Sequence, residues 1–240
     1  MWTQVSWAPP QLAQLRELEE IVARLDQEGV EQLPEYRQWL RMLILPGTSL
    51  GGARPKASFT DEDGSMWIAK FPASDDRRDA GLLEFLVGEL ARRAGVDVPP
   101  MRRYRFSTRG HTFAVQRFDR INATRRVYAS AMTLVQRRDG EVRNHGFLRA
   151  PDGWRLSPAF DSNPNPDKDI HALAIDADDP RPVSAHLRGT SDCYRLKPAQ
   201  VDVIEEEVRG AARAWRRLAD EIGASVVDTA LLGAAMDPAR

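Results

Sequence analysis

Cysteine is almost absent. The 240-residue chain has one, Cys193, so no internal disulfide can form and no cysteine-rich zinc site exists. Cys193 has no neighbour that would activate its thiol and reads as inert. A single cysteine suits a reducing compartment, and a cytoplasmic location is expected. Long apolar runs are missing too: none approaches the roughly 20 residues that span a bilayer. The opening Met1-Trp2-Thr3-Gln4-Val5-Ser6-Trp7 lacks the basic-then-apolar order of a signal peptide. Charge of one sign is also lacking. Lys plus Arg total 34 against 35 Asp plus Glu, a formal net charge of −1, which excludes a histone-like or polyanionic chain. The histidines His111, His145, His171 and His186 show no metal-ligand spacing. Ser157 and Ser162 lack a nucleophile-elbow context.

What is present is a globular composition: 42% hydrophobic and 29% charged residues, in a length that suits one large or two small domains. Pro9-Pro10 opens a helix with Leu12, Leu15, Leu18, Val22 and Leu25 at three- and four-residue spacing. A second amphipathic stretch runs from about 34 to 45. A small-residue loop follows, then a hairpin: a strand over 57–60, a turn at Asp61-Glu62-Asp63-Gly64, and a strand from Met66. Asp79 is expected to cap a helix that runs to Ala94 and stops at Gly95. Strands are expected over 104–107 and 111–117, joined at Arg109-Gly110, and over 146–148 and 154–156. A loop rich in Asp, Pro and Asn follows from Pro158 to Asp169. One helix is expected from about Pro198 to Ile222, with Glu205/Arg209, Arg216/Asp220 and Arg217/Glu221 paired at i,i+4. The order implies an α+β fold in two lobes. The division expected is 1–45 helical, 46–120 strand-rich and nucleotide-binding, and 121–240 helical with a catalytic loop.

Several residues carry chemistry. The loop Ser49 to Lys56 contains Gly51, Gly52 and Ala53, whose small size lets main-chain N–H groups approach a phosphate; an ordinary surface turn is the plainer reading. Lys70 stands in an apolar strand on the face of Met66 and Ile68. It is either an edge lysine reaching water or a kinase-like lysine contacting ATP phosphates. Glu84 lies on the next helix among Ala80, Val87 and Gly88, a small apolar face, and is its candidate ion-pair partner. Gln116 and Phe118 stand where a strand runs out, in the place of a nucleotide hinge or as a plain strand end. Asp139 precedes Asn144 by five residues, and Asp161 follows the later hairpin. In phosphoryl transfer one Asp takes the hydroxyl proton, while an Asn and a second Asp hold Mg²⁺. Plain turns account for Asp139-Gly140 and for Asp161 equally simply.

Loop, strand lysine, helix glutamate, hinge, Asp-to-Asn, hairpin and Asp follow one another in the order of a protein-kinase-like phosphotransferase. The wording resembles the HipA family of serine/threonine kinases, the toxins of HipA–HipB toxin–antitoxin pairs. The motifs are Ser49-Leu50-Gly51-Gly52-Ala53-Arg54-Pro55-Lys56-Ala57, Trp67-Ile68-Ala69-Lys70-Phe71, Arg117-Phe118-Asp119-Arg120, Arg143-Asn144-His145-Gly146-Phe147-Leu148 and Leu156-Ser157-Pro158-Ala159-Phe160-Asp161. The resemblance continues through His171-Ala172-Leu173-Ala174-Ile175-Asp176 and Tyr194-Arg195-Leu196, and spans about 45–222. It implies ATP and Mg²⁺ as cofactors, Lys70 on the phosphates, Gln116 and Phe118 flanking adenine, and Asn144 and Asp161 on the metal. Ser49 matches the loop serine that family members autophosphorylate. Family precedent gives an aminoacyl-tRNA synthetase as a protein substrate and a HipB-like helix-turn-helix antitoxin as partner.

The sequence departs from that pattern twice. Only two helices precede the loop, and the stretch between Leu134 and Arg143 is short, so the tract that carries the family's catalytic Asp is reduced to Asp139. An inactive pseudokinase, acting as a nucleotide- or antitoxin-binding module, is therefore the alternative function. A third reading rests on eight arginines and one acid, Asp119, between Arg102 and Arg126, a stripe that suits RNA contact. A solvated strand-and-loop face accounts for it better, so no direct nucleic-acid binding is expected.

Overall fold

The structure is a computed structural model, and it describes residues 10–25, 27, 29–36, 54–121, 124–134, 146–164 and 184–237. Contacts divide the chain into two compact units, Met1–Phe85 with Pro99–Arg125, and Leu86–Val98 with Arg126–Arg240. The mixture of helix and sheet is that of an α+β fold.

The first unit is built on a four-stranded antiparallel sheet. Its strands are β1 (Lys56–Thr60), β2 (Met66–Lys70), β3 (Met101–Ser107) and β4 (Gly110–Gln116), in spatial order β1-β2-β4-β3. The β1–β2 turn closes at Gly64, whose φ of +82° favours glycine. Alternation along the strands gives the sheet two unlike faces. One carries Ala57, Phe59, Trp67, Ala69 and Ala114. Against it packs helix α1 (Leu15–Leu25) through Leu15, Leu18 and Val22, in one buried cluster. The leucine spacing read in the sequence is thus the core stripe of α1. The helix is also tied down by charge. Glu19 is buried; it accepts a hydrogen bond from the Thr112 hydroxyl on β4, and its other oxygen faces the Arg109 guanidinium at 3.9 Å.

Helix α2 (Ala80–Arg93) starts as expected: the Asp79 carboxylate accepts from the Leu82 N–H at 3.1 Å. It stops before Gly95, which has a φ of +79°. Two short strands, β5 (Arg120–Ile121) and β6 (Thr124–Arg125), pair with each other after β4.

The second unit holds a three-stranded antiparallel sheet of β7 (Tyr128–Ser130), β8 (Gly146–Ala150) and β9 (Gly153–Leu156). A single helical turn, α3 (Ala131–Leu134), follows β7. The helices α4 (Ser184–Gly189), α5 (Pro198–Arg213), α6 (Trp215–Glu221) and α7 (Val226–Met236) complete the unit. The single helix expected over 198–222 is two. It breaks at Ala214, whose N–H turns back to the Ala211 carbonyl in a tighter turn. The break lets Trp215, Leu218 and Ala219 be buried, whereas α5 buries no residue. Trp215 donates to Asp237 at 3.0 Å, and Arg216 pairs with Asp237 rather than with Asp220. Glu205/Arg209 and Arg217/Glu221 do pair. Helix α7 has no counterpart in the sequence reading. The amphipathic stretch expected over 34–45 falls outside the described residues from position 37 onward.

Candidate functional site

The second face of the four-stranded sheet is the chemical one. Strand register places side chains opposite one another in rows across it. One row is Ser58, Ile68, Val115 and Met101; the next is Lys56, Lys70, Phe113 and Arg103. A largely apolar row therefore lies beside a row that bears three cations, on the side of the sheet opposite α1. Lys70 Nζ also lies 5.8 Å from the centroid of the Phe113 ring. Arg103 stacks over Phe85.

Lys70 is not an edge lysine reaching water. Its Nζ meets Glu84 Oε1 at 2.6 Å, and the two side chains are only 12% and 5% exposed. At this depth each side chain supplies a partner that offsets part of the other's desolvation. The position of Glu84 follows from how α2 is attached. Asp79 does two jobs: it caps α2, and it accepts from the main-chain N–H and ring Nδ1 of His111 on β4. Gly81 then passes so close to β4 that a Cβ there would sit 2.0 Å from the His111 carbonyl oxygen. Glu84, one turn further along, is delivered to Lys70. Gly81→Ala is therefore expected to push the first turn of α2 off the strand and destabilise the protein by about 1–3 kcal/mol or more. A urea denaturation curve checks this, and a midpoint equal to that of the wild type would contradict the close approach.

Lys56 stands directly opposite Lys70 in the β1–β2 register. The expected loop residues Ser49, Gly51, Gly52 and Ala53 lie outside the described residues. The loop's far end is fastened by a residue that sequence reasoning passed over. Arg54 donates to the Phe71 carbonyl at 3.1 Å and pairs with Asp76. Arg54 thereby holds the start of β1 beside the end of β2, where Lys70 sits.

Gln116 is register partner of the buried Trp67, so its side chain belongs to the α1 face and not to that of Lys70. Any contribution of Gln116 to the Lys70 face is made by its main chain. Phe118 follows at the end of the strand. Beyond it, Asp119 is held by Arg117 and Arg120. This answers part of the basic-stripe question. Arg102 is paired with Asp61 and Arg109 faces Glu19, while Arg117 and Arg120 share Asp119. Those side chains serve contacts within the protein.

In the second unit, Asp161 is exposed and has a φ of +58°, a left-handed conformation that Asp tolerates better than most residues. Its Oδ1 accepts from the Asn163 side chain at 2.9 Å. The segment leading to it is anchored. Ser157 N–H bonds to the Gly146 carbonyl at 2.7 Å, Ala159 N–H to the Asp97 carbonyl at 2.8 Å, and Phe160 meets Tyr128 edge-on. A Cβ at Gly146 would fall 2.2 Å from the Tyr128 ring, so a larger residue there would have to displace that side chain. Asp139 and Asn144 lie outside the described residues. Asp161 offers the hard carboxylate oxygen that Mg²⁺ favours, and Mg²⁺ takes few protein ligands. Among the described residues there is no cluster of three His, Cys, Asp or Glu that would form a dedicated metal cage. Among them also, no helix is long and apolar enough to cross a membrane.

The fold is that of a kinase-like α+β protein. Two solved structures share the fold. The first is HipA of Shewanella oneidensis MR-1, solved with HipB and its operator DNA. It is 13% identical, with a TM-score of 0.61, over 97% of this chain and 70% of that one. The second is the Helicobacter pylori proinflammatory kinase CtkA, 14% identical, with a TM-score of 0.52, over 80% of this chain and 91% of that one. Residues 48–141 match the family model of the HipA-like C-terminal domain. No curated protein matches the chain by sequence.

Proposed function

We propose that the protein is an ATP- and Mg²⁺-dependent serine/threonine kinase of HipA toxin type. One observation carries the reading: the buried Lys70–Glu84 pair beside an apolar row on the face of the sheet opposite α1. The apolar row of Ile68, Val115 and Met101 suits a base. The neighbouring row, with Lys56 and Lys70, suits the phosphates. Glu84 orients Lys70 toward them, and the 51–53 loop completes the phosphate cradle. The main chain at Gln116 and Phe118 flanks adenine. Asn144 and Asp161 hold Mg²⁺, which supplies charge that offsets the negative phosphates.

Asp139 accepts the proton of a substrate Ser or Thr hydroxyl. That oxygen forms a bond to the γ-phosphorus as the bond to the β–γ bridging oxygen breaks, leaving ADP. The domain division that goes with this is a nucleotide-binding lobe over 46–120 and a lobe over 121–240 that bears the catalytic loop. A HipB-like antitoxin is the proposed partner, supported by the solved Shewanella assembly whose fold the chain shares. Ser49 is the proposed site of autophosphorylation.

Incubation with ATP and Mg²⁺, read by intact mass, tests the activity. The expected result is a gain of one phosphoryl group, located at Ser49 and lost in Asp139→Asn and in Asp161→Ala. A gain that survives Asp139→Asn would remove that residue from the mechanism and leave the kinase. No gain in folded protein would favour the binding-module reading, which the short stretch between Leu134 and Arg143 supports.

A further inference from the structure

The end of β4 is closed by two arginines around one carboxylate. Arg117 donates to Asp119 through Nε at 2.9 Å and Nη2 at 2.8 Å, a bidentate fork, and its Nη1 reaches the Ser58 hydroxyl on β1 at 3.2 Å. Arg120 donates to the Asp119 carbonyl at 3.0 Å and also to its carboxylate. Both guanidinium side chains are 9% exposed. The Arg117 N–H still bonds to the Met66 carbonyl at 2.8 Å. The ladder thus extends one residue past β4 before the chain leaves the sheet.

Stability alone does not account for this cluster. A buried ion pair roughly breaks even against apolar packing, and here two cations share one anion. Burial and the charge of Arg117 both press the Arg120 guanidinium toward its neutral form. Burial pushes the Asp119 carboxyl up, but the hydrogen bonds and charge of Arg117, with the charge of Arg120, outweigh it and hold it below its ordinary range. What the cluster does supply is fixed geometry. It ties β1, the end of β4 and the start of β5 into one rigid corner. The main chain of 116–118 runs through that corner, beside Ser58 at the end of the apolar row.

We propose that Asp119 is a positioning residue: through Arg117 and Arg120 it holds the 116–118 main chain in the shape that receives the base of a bound nucleotide. Affinity for the base, and not for the phosphates, depends on it. The inference rests on the nucleotide-binding reading above.

Calorimetric titration with ATP and with inorganic tripolyphosphate, both as Mg²⁺ complexes, tests it on the wild type, Asp119→Asn and Ser58→Ala. Asp119→Asn is expected to weaken ATP about tenfold, the scale of a lost charged hydrogen bond, and to leave tripolyphosphate affinity within about twofold. Ser58→Ala removes one Arg117 contact with little change in volume. It is expected to shift ATP alone by a smaller factor, and it carries the test if Asp119→Asn does not fold. Equal weakening of both ligands would overturn the proposal and leave the cluster a purely structural one. So would unchanged ATP affinity in folded protein. A wild type that binds tripolyphosphate as tightly as ATP overturns the base-positioning role alone. A wild type that binds neither overturns the nucleotide reading and this inference together.

Discussion

Lys70→Met is expected to lower stability by about 3–5 kcal/mol and to abolish measurable phosphoryl transfer. The first effect comes from what is left behind. Glu84 is 5% exposed, and without its partner it becomes an uncompensated buried charge. The second effect comes from the phosphates, which lose a preorganised cation; removal of one such group costs on the order of 10²–10³ in rate. The two are separable. In the double variant Lys70→Met/Glu84→Leu, an apolar pair of similar volume replaces the ion pair, a change that is often neutral or stabilising. It should recover most of the stability and none of the activity. Urea denaturation and phosphate-transfer assays on the two variants check this. An active double variant would make Lys70 a structural residue.

Asp161 should behave in the opposite way, with activity lost and stability kept. The residue is exposed and left-handed, so no core depends on its side chain. Asp161→Gly suits its φ of +58° better than Asp does, and the melting temperature is expected to stay level or rise slightly. Asp161→Ala keeps the Cβ that Asp already carries in the left-handed region and is expected to cost less than about 1 kcal/mol. Both variants are expected to lose on the order of 10²–10³ in phosphoryl transfer and to need more Mg²⁺ for what remains. Activity is measured against Mg²⁺ concentration, beside a thermal melt. An Asp161→Gly protein with the wild-type rate and Mg²⁺ requirement would falsify the metal-binding role.

Local signals in the sequence were sound guides to local structure. Asp79 and Gly95 mark the ends of α2, the Asp61–Gly64 turn closes the β1–β2 hairpin, and the leucine spacing marks the buried stripe of α1. Glu84 is legible because three small or apolar neighbours at helical spacing define a packed face, and a charge on such a face needs a partner. Long-range pairings left no such trace. Arg216 has an acid at i+4, Asp220, yet pairs with Asp237 across a turn between helices. Asp119 was the one acid in a run of arginines, and composition alone made the run look like a nucleic-acid stripe. Only the fold shows that Arg117 and Arg120 converge on that acid. Helix α7 does carry a local signal. Ser225 and Asp228 have the spacing of a capping box, and the Ser225 hydroxyl does accept from the Asp228 N–H at 3.1 Å.

The seating of α1 bears on how such a chain can evolve. Leu15, Leu18 and Val22 share one buried cluster with Phe59, Trp67 and Phe71. Three buried aliphatic side chains contribute about 5–9 kcal/mol, which approaches the whole net stability of an ordinary domain. The α1 helix is thus part of the core and not a dispensable cover. A deletion that runs past Leu12 strips one face of the four-stranded sheet of its cover. Surviving short homologues should either keep such a helix or cover that side with another chain.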